Sequence, residues 1–192
     1  MLVVGYVNNI LKEDYVRFLD GKALASALAG ELRGHRTGLP LLARNLTTFI
    51  VATEIGDVPP LRPFGTPTSP VFEASVGKLG LLGNALAGDV AYLYELIRAF
   101  RLNYAMVTEQ VAQMTRDELL ARLTVLRDMV VDNQPIADAT IASLNAYADQ
   151  QFLPWITRRL GLVQFAGRVS SRPAATATIN PTQGDDPSGS AR

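Results

Sequence analysis

The chain has 192 residues, enough for one domain with a full core, and its 18 basic and 18 acidic side chains cancel. Without net charge it lacks the usual electrostatic footprint of a nucleic-acid binder, so no nucleic-acid partner is expected. Its lack of cysteine excludes disulfides, thiolate catalysis, iron–sulfur clusters and cysteine zinc sites. Hydrophobic residues reach 48% and charged residues only 19%, below the ~25% of an average domain. That balance predicts tightly packed helices that bury surface against one another, a partner or a bilayer.

The opening Met1-Leu2-Val3-Val4-Gly5-Tyr6-Val7 is apolar but stops at Asn8-Asn9, short of the ~20 residues that span a bilayer. It lacks the basic start and small-residue cleavage site of a secretory signal. Two readings are open. One is a frayed turn packed on the bundle. The other is the last third of a membrane helix beginning upstream of Met1, with Lys12, Arg17 and Lys22 as its cytoplasmic flank. Residues 1–10 are set apart on this ground as an apolar stub ahead of a helical domain at 11–167.

Tyr15, Phe18, Leu24 and Leu28 predict a helix from near Glu13. Leu28, Leu32, His35, Leu39, Leu42, Leu46 and Phe49 continue it as a seam stepping by four and three. Pro40 deprives the Arg36 carbonyl of its donor, which predicts a kink near residues 36–39. The seam keeps its phase across the proline, favouring a kink over two separate helices.

Residues 57–70 contain five prolines and read as an extended connector. Ser69 is placed as an N-cap, with Pro70 at the first helical position and Glu73 in the first turn, for a short helix at 70–79 that ends at Gly80. Leu81-Leu82-Gly83-Asn84 forms a corner. The strongest signal comes next: Leu86, Val90, Leu93, Ile97, Phe100, Tyr104, Val107, Val111 and Met114 alternate steps of four and three without a proline. This is the coiled-coil-like seam of a helix of ~29 residues, roughly 43 Å long, packed lengthwise on others.

Thr115-Arg116-Asp117-Glu118 is a capping box, with Met114 and Leu119 as its hydrophobic staple. Leu119, Leu123, Leu126 and Val130 form the next seam. Asp132-Asn133-Gln134-Pro135 interrupts it, and Ile136, Ile141 (or Thr140), Leu144 and Ala148 resume it until Pro154. Residues 168–192 have the composition of a disordered tail. The expected fold is therefore all-α: a bundle of three to four long, mostly antiparallel helices plus one short helix, with the connector at 57–70.

Chemistry is sparse. His35 is the sole histidine and lies on a seam, with Glu31 one turn before it on the same face. A metal there would need further donors such as Asp89 or Glu95, and the spacing misses the Glu-x-x-His of di-iron bundles. No nucleophile elbow, Walker loop or dinucleotide fingerprint is present. Gly88 is read as a point of close backbone approach. Tyr92, Tyr94, Arg98, Arg101, Asn103 and Tyr104 cluster mid-helix, either as a rim around a core Tyr104 or as a ligand pocket. Arg33, Arg36 and Arg44 flank the first seam with the same ambiguity. No catalytic residue, cofactor or metal is expected; His35, Arg98, Asn103 and Tyr104 are the candidates for a ligand or partner contact.

The order of parts resembles a loose group of uncharacterised bacterial helical proteins. The likeness rests on Ala25-Ser26-Ala27-Leu28-Ala29-Gly30-Glu31-Leu32-Arg33-Gly34-His35-Arg36, Thr66-Pro67-Thr68-Ser69-Pro70-Val71-Phe72-Glu73, Lys78-Leu79-Gly80-Leu81-Leu82 and the helix holding Tyr94, Ile97 and Arg98. It covers about residues 11–110 and carries no activity. Members have an N-terminal membrane helix, so the resemblance implies an anchor of which only Met1–Val7 stands in this sequence. The expected role is a non-catalytic, membrane-proximal structural or interaction module, partnered by another helical protein or by itself. Its expected place is the inner membrane, or the cytoplasm if no anchor lies upstream. The alternative is a helical small-ligand-binding or sensor domain.

Overall fold

The computed structural model describes residues 2–57, 59–63, 65 and 68–159, with side chains from Leu11 onward. The predicted tail at 168–192 and the end of the predicted domain at 160–167 lie outside these residues. The chain divides into a unit ending at Ile156 and a second unit, Thr157–Arg192, of which only the last turn of a helix is described. The helical bundle belongs to the first unit.

Every regular element among the described residues is helical: α1 (Leu2–Thr37), α2 (Leu39–Glu54), α3 (Pro70–Ser75), α4 (Asn84–Gln110), α5 (Arg116–Asp132), α6 (Gln134–Ala148) and α7 (Phe152–Arg159). A 3-10 segment, Val76–Leu82, joins α3 to α4, and a 3-10 turn, Val111–Gln113, closes α4. The all-α bundle is thus the fold of this chain.

Three helical columns build the bundle. α1 with α2 is one, α4 the second, α5 with α6 the third. α5 packs on α2, and α6 on α1. This third column is antiparallel to the first: Arg116 at its start reaches Thr53 at the end of α2, while Arg36 meets Asp138 and Gly21 meets Tyr147 farther back. α4 runs parallel to α1 and α2, since its early residues pack with Leu24–Leu32 and its late ones with Leu46 and Ile50. The return connector makes this direction reachable.

The predicted seams are the core. Val90, Leu93, Phe100, Tyr104 and Val107 of α4 are buried, as are Leu119, Leu123, Leu126 and Val130 of α5. Gly83, at φ +81°, turns the corner into α4 in a conformation open to glycine. The Thr115 hydroxyl accepts the Glu118 N–H at 3.2 Å, as the capping box requires, although the Glu118 carboxylate turns to Arg122. Arg116 donates to the Thr53 carbonyl at 2.9 Å, which also accepts the Gly56 N–H, and to the Glu54 carbonyl, tying the start of α5 to the end of α2.

Several expectations are corrected. Helix α1 starts at Leu2 rather than near Glu13, so the backbone of the apolar stub is helical. The frayed-turn reading does not describe it. Ser69 makes no capping bond to α3, whose regular turns end at Ser75 before the 3-10 segment takes over. Ile136 is 41% exposed and Thr140 is buried in the resumed seam, because the break at Pro135 resets the helix phase. Gly88 has open space where a Cβ would go. The close approach is at Gly21, where a Cβ would stand 2.9 Å from the Tyr147 hydroxyl.

The kink was legible. Gly38 keeps right-handed helical dihedrals (φ −82°, ψ −15°), and the Leu42 N–H still bonds its carbonyl at 3.1 Å, so α1 and α2 are one bent column. A second break, at Asn133, separates α5 from α6, again with proline just inside the next helix. Gly38 and Asn133 line the same groove, which places the two breaks at one level of the bundle. α4 passes that level unbroken. Buried side chains accordingly form two clusters, one around α1, α6 and the start of α4, the other around α2, α5 and the end of α4.

Candidate functional site

Between the two clusters lies a groove of about 610 Å³. Its walls are apolar: Leu32 and Leu93 come from the first cluster, Phe100 and Val130 from the second, with Ile97, Leu39, Leu42 and Met129 between them. It lies where both columns break, and the residues lining it there include the small Gly34, Gly38 and Ala137. Bending separates side-chain rows that would otherwise interdigitate, and glycine and alanine cannot refill the space. The volume lies within the ~300–1,000 Å³ of small-molecule pockets.

One end of the groove is polar. Glu31 lines it, and its carboxylate accepts the backbone N–H groups of Val71 (2.9 Å) and Phe72 (3.1 Å) and the Tyr94 hydroxyl (2.6 Å). A side chain of α1 thus caps α3, the task expected of Ser69. Charge-assisted bonds of this kind are stronger than a serine cap would give. The Tyr94 ring stacks on Phe72 at 3.9 Å between centroids and 9° between planes, clamping α3 against α4. Burial, followed by the bond to Glu31, pushes the Tyr94 phenol far above its ordinary range.

Ser69 faces the other way. Its buried hydroxyl shares a 3.2 Å hydrogen bond with His35 Nε2 and accepts from Arg101 Nη2 at 3.4 Å. His35 titrates below its ordinary value, first because it is half-buried, then because Arg101 repels its proton; Glu31 opposes both. A neutral ring accepting from Ser69, which accepts from Arg101, gives each proton one acceptor. A serine beside a histidine invites comparison with a nucleophile and its base. Here the nearby N–H groups of Val71 and Phe72, which could serve an oxyanion, are taken by Glu31.

The polar end carries one unmatched charge. Arg36 forms a two-pronged ion pair with Asp138 at 2.7 and 2.9 Å, holding α1 to α6 and keeping that carboxyl below the usual carboxylate range. The Glu31 carboxylate has its three donors. Among the described residues, Arg101 lines the groove without a carboxylate in ion-pair contact.

The four sequence candidates are not brought together. His35 lines the groove. Arg98 is on the surface, 3.4 Å from Glu95, and Asp89 is exposed as well. Asn103 bonds the Ala99 carbonyl and borders a separate hollow of about 200 Å³ beside α5. Tyr104 is core, donating to the Arg62 carbonyl at 3.1 Å. Tyr92 is exposed and reaches Asn133. The groove instead gathers Glu31, His35 and Arg101, with Tyr94 and Ser69 behind them. Arg101 had a usable signal: it follows Ile97 by one helical turn and therefore flanks the seam, whereas Arg98 points away from it.

No protein-family model, curated protein or solved structure matches the chain.

Proposed function

We propose that this chain is a non-catalytic helical ligand-binding module whose central groove holds a small, largely apolar molecule. The observation that carries this reading is the groove itself, a largely apolar space of about 610 Å³ at the level where two columns break and α4 does not. A solid core would have offered no such volume. Calorimetric titration with 1-decanol tests it. Saturable one-to-one binding is expected, and Ile97→Trp should weaken it by obstructing the groove while the circular dichroism stays helical. No saturable binding, or binding unaffected by the tryptophan, would count against it.

A membrane-proximal interaction module is the second reading, favoured by a separate observation. Leu11, Tyr15 and Leu19 recur every four residues on α1, and together with Val16 they are 43–49% exposed. They continue the apolar sequence Leu2–Val7 along one helix. No described helix is long and apolar enough to cross a membrane, so what this face supports is contact with a bilayer surface or another helix. Flotation with anionic vesicles tests the former: the protein should co-float, and Leu11→Ser/Leu19→Ser should release it.

A further inference from the structure

We infer that the groove is built for a single-chain carboxylate amphiphile, its chain along the apolar walls and its head group at Arg101. The inference rests on the ligand-binding reading above and adds the chemical class. Three features carry it.

The groove has apolar walls broken by one charged group, Glu31, His35 and Arg101, with Arg36 held by Asp138 and two neutral amides, Asn45 and Asn133, elsewhere in the lining. On α4 it runs from Leu93 to Arg101, eight residues or roughly 12 Å of helix. Leu93, Leu96, Ile97 and Phe100 supply the apolar stretch, and the Arg101 side chain reaches Ser69 beside His35, where the charge gathers. That asymmetry fits a chain with one charged end better than a uniformly apolar or uniformly polar ligand.

The sign of the head group is set by which charges are already matched. Glu31 is held by two backbone N–H groups and a phenol, so it offers little to a cation. Arg36 is engaged by Asp138. The remaining full charge facing the groove is the Arg101 guanidinium, whose bond within the protein is a 3.4 Å contact to the Ser69 hydroxyl. A guanidinium presents five donors in a planar fork that matches a carboxylate.

The surroundings would strengthen such a contact. Arg101 is half-buried, flanked by Ile97 and Phe100, and ion pairs gain when water is excluded. A bound anion would also ease the repulsion that Arg101 exerts on a protonated His35.

The test compares decanoate, 1-decanol and decyltrimethylammonium, all below their micelle-forming concentrations, by calorimetry on the full chain. Decanoate should bind about tenfold more tightly than the alcohol, equivalent to roughly 1.4 kcal/mol, and the cation most weakly. Arg101→Gln should remove the preference for decanoate and leave the alcohol's affinity unchanged; Arg101→Lys should keep most of it. Added salt should weaken decanoate binding alone. Equal affinity for acid and alcohol, preference for the cation, or a preference that survives Arg101→Gln would overturn the head-group assignment while leaving the groove as a binding site. Failure of all three probes to bind would remove the ligand-binding reading itself.

Discussion

Replacing Glu31 should cost more stability than its half-buried position suggests. In Glu31→Ala the Val71 and Phe72 N–H groups and the Tyr94 hydroxyl lose a common acceptor. Hydrogen bonds to a charged group contribute about 1.5–3 kcal/mol each. Val71 and Phe72 are half-buried, so water can recover part of their share. Tyr94 is only 4% exposed, and a stranded donor there costs about 1–3 kcal/mol. The three together come to about 3–4 kcal/mol, against which alanine's better helix propensity returns a few tenths. For a domain of this size that lowers Tm by roughly 6–16 °C. Urea and thermal unfolding of wild type, Glu31→Ala, Tyr94→Phe and the double variant measure it. The double-mutant cycle should show coupling of about 1 kcal/mol or more, because the two side chains share one short bond. A loss under about 1 kcal/mol in Glu31→Ala, or additive singles, would refute the role of Glu31 as the clamp on α3.

The same geometry sets other outcomes. His35 binds its proton less readily folded than unfolded, with Arg101, Glu31, Tyr94 and Ser69 around it. Its contribution to stability is whole above its ordinary value of ~6.5 and declines as pH falls through it. The urea midpoint should therefore drop more between about pH 7.5 and about pH 5.5 in wild type than in His35→Gln; equal drops would contradict the assignment. In alkaline titration followed by phenolate absorbance, Tyr94 should remain protonated at the pH, ~10, where an ordinary phenol ionises. Comparing wild type with Tyr94→Phe isolates it: a phenolate lost near that pH would be contrary to its buried bond. Gly30→Ala, with open space around its Cβ in mid-helix, should stabilise by about 0.5–1 kcal/mol. Gly21→Ala should instead destabilise, since its Cβ meets the Tyr147 hydroxyl that bonds the Leu81 carbonyl, and Tyr147→Phe should relieve part of the loss.

The columns of the bundle were legible because a buried stripe repeats every three or four residues, and the seams of α4 and α5 lie where that repeat places them. The kink at Gly38 was legible for a local reason, the missing donor of Pro40. Ser69 was not. Its residue type and position say N-cap, but its hydroxyl goes to His35 and Arg101, and a glutamate some forty positions earlier takes over the cap. Ile136 misled because the break at Asn133 resets the phase of the seam, whereas the break at Gly38 preserves it. The groove was hidden for a related reason. Each break can be read from its own proline, but that Gly38 and Asn133 fall at one level depends on how two columns dock, and the empty volume arises only from that coincidence.

The most direct measurement is a methyl-labelled NMR titration of the full chain with decanoate. If the groove at the two breaks is the binding site, Leu32, Leu42, Leu93 and Ile97 should shift together and saturate, while Val107 and Leu119, away from the groove in the second cluster, stay still. Shifts confined to Leu11, Val16 and Leu19 on the exposed face of α1, or none at all, would contradict it.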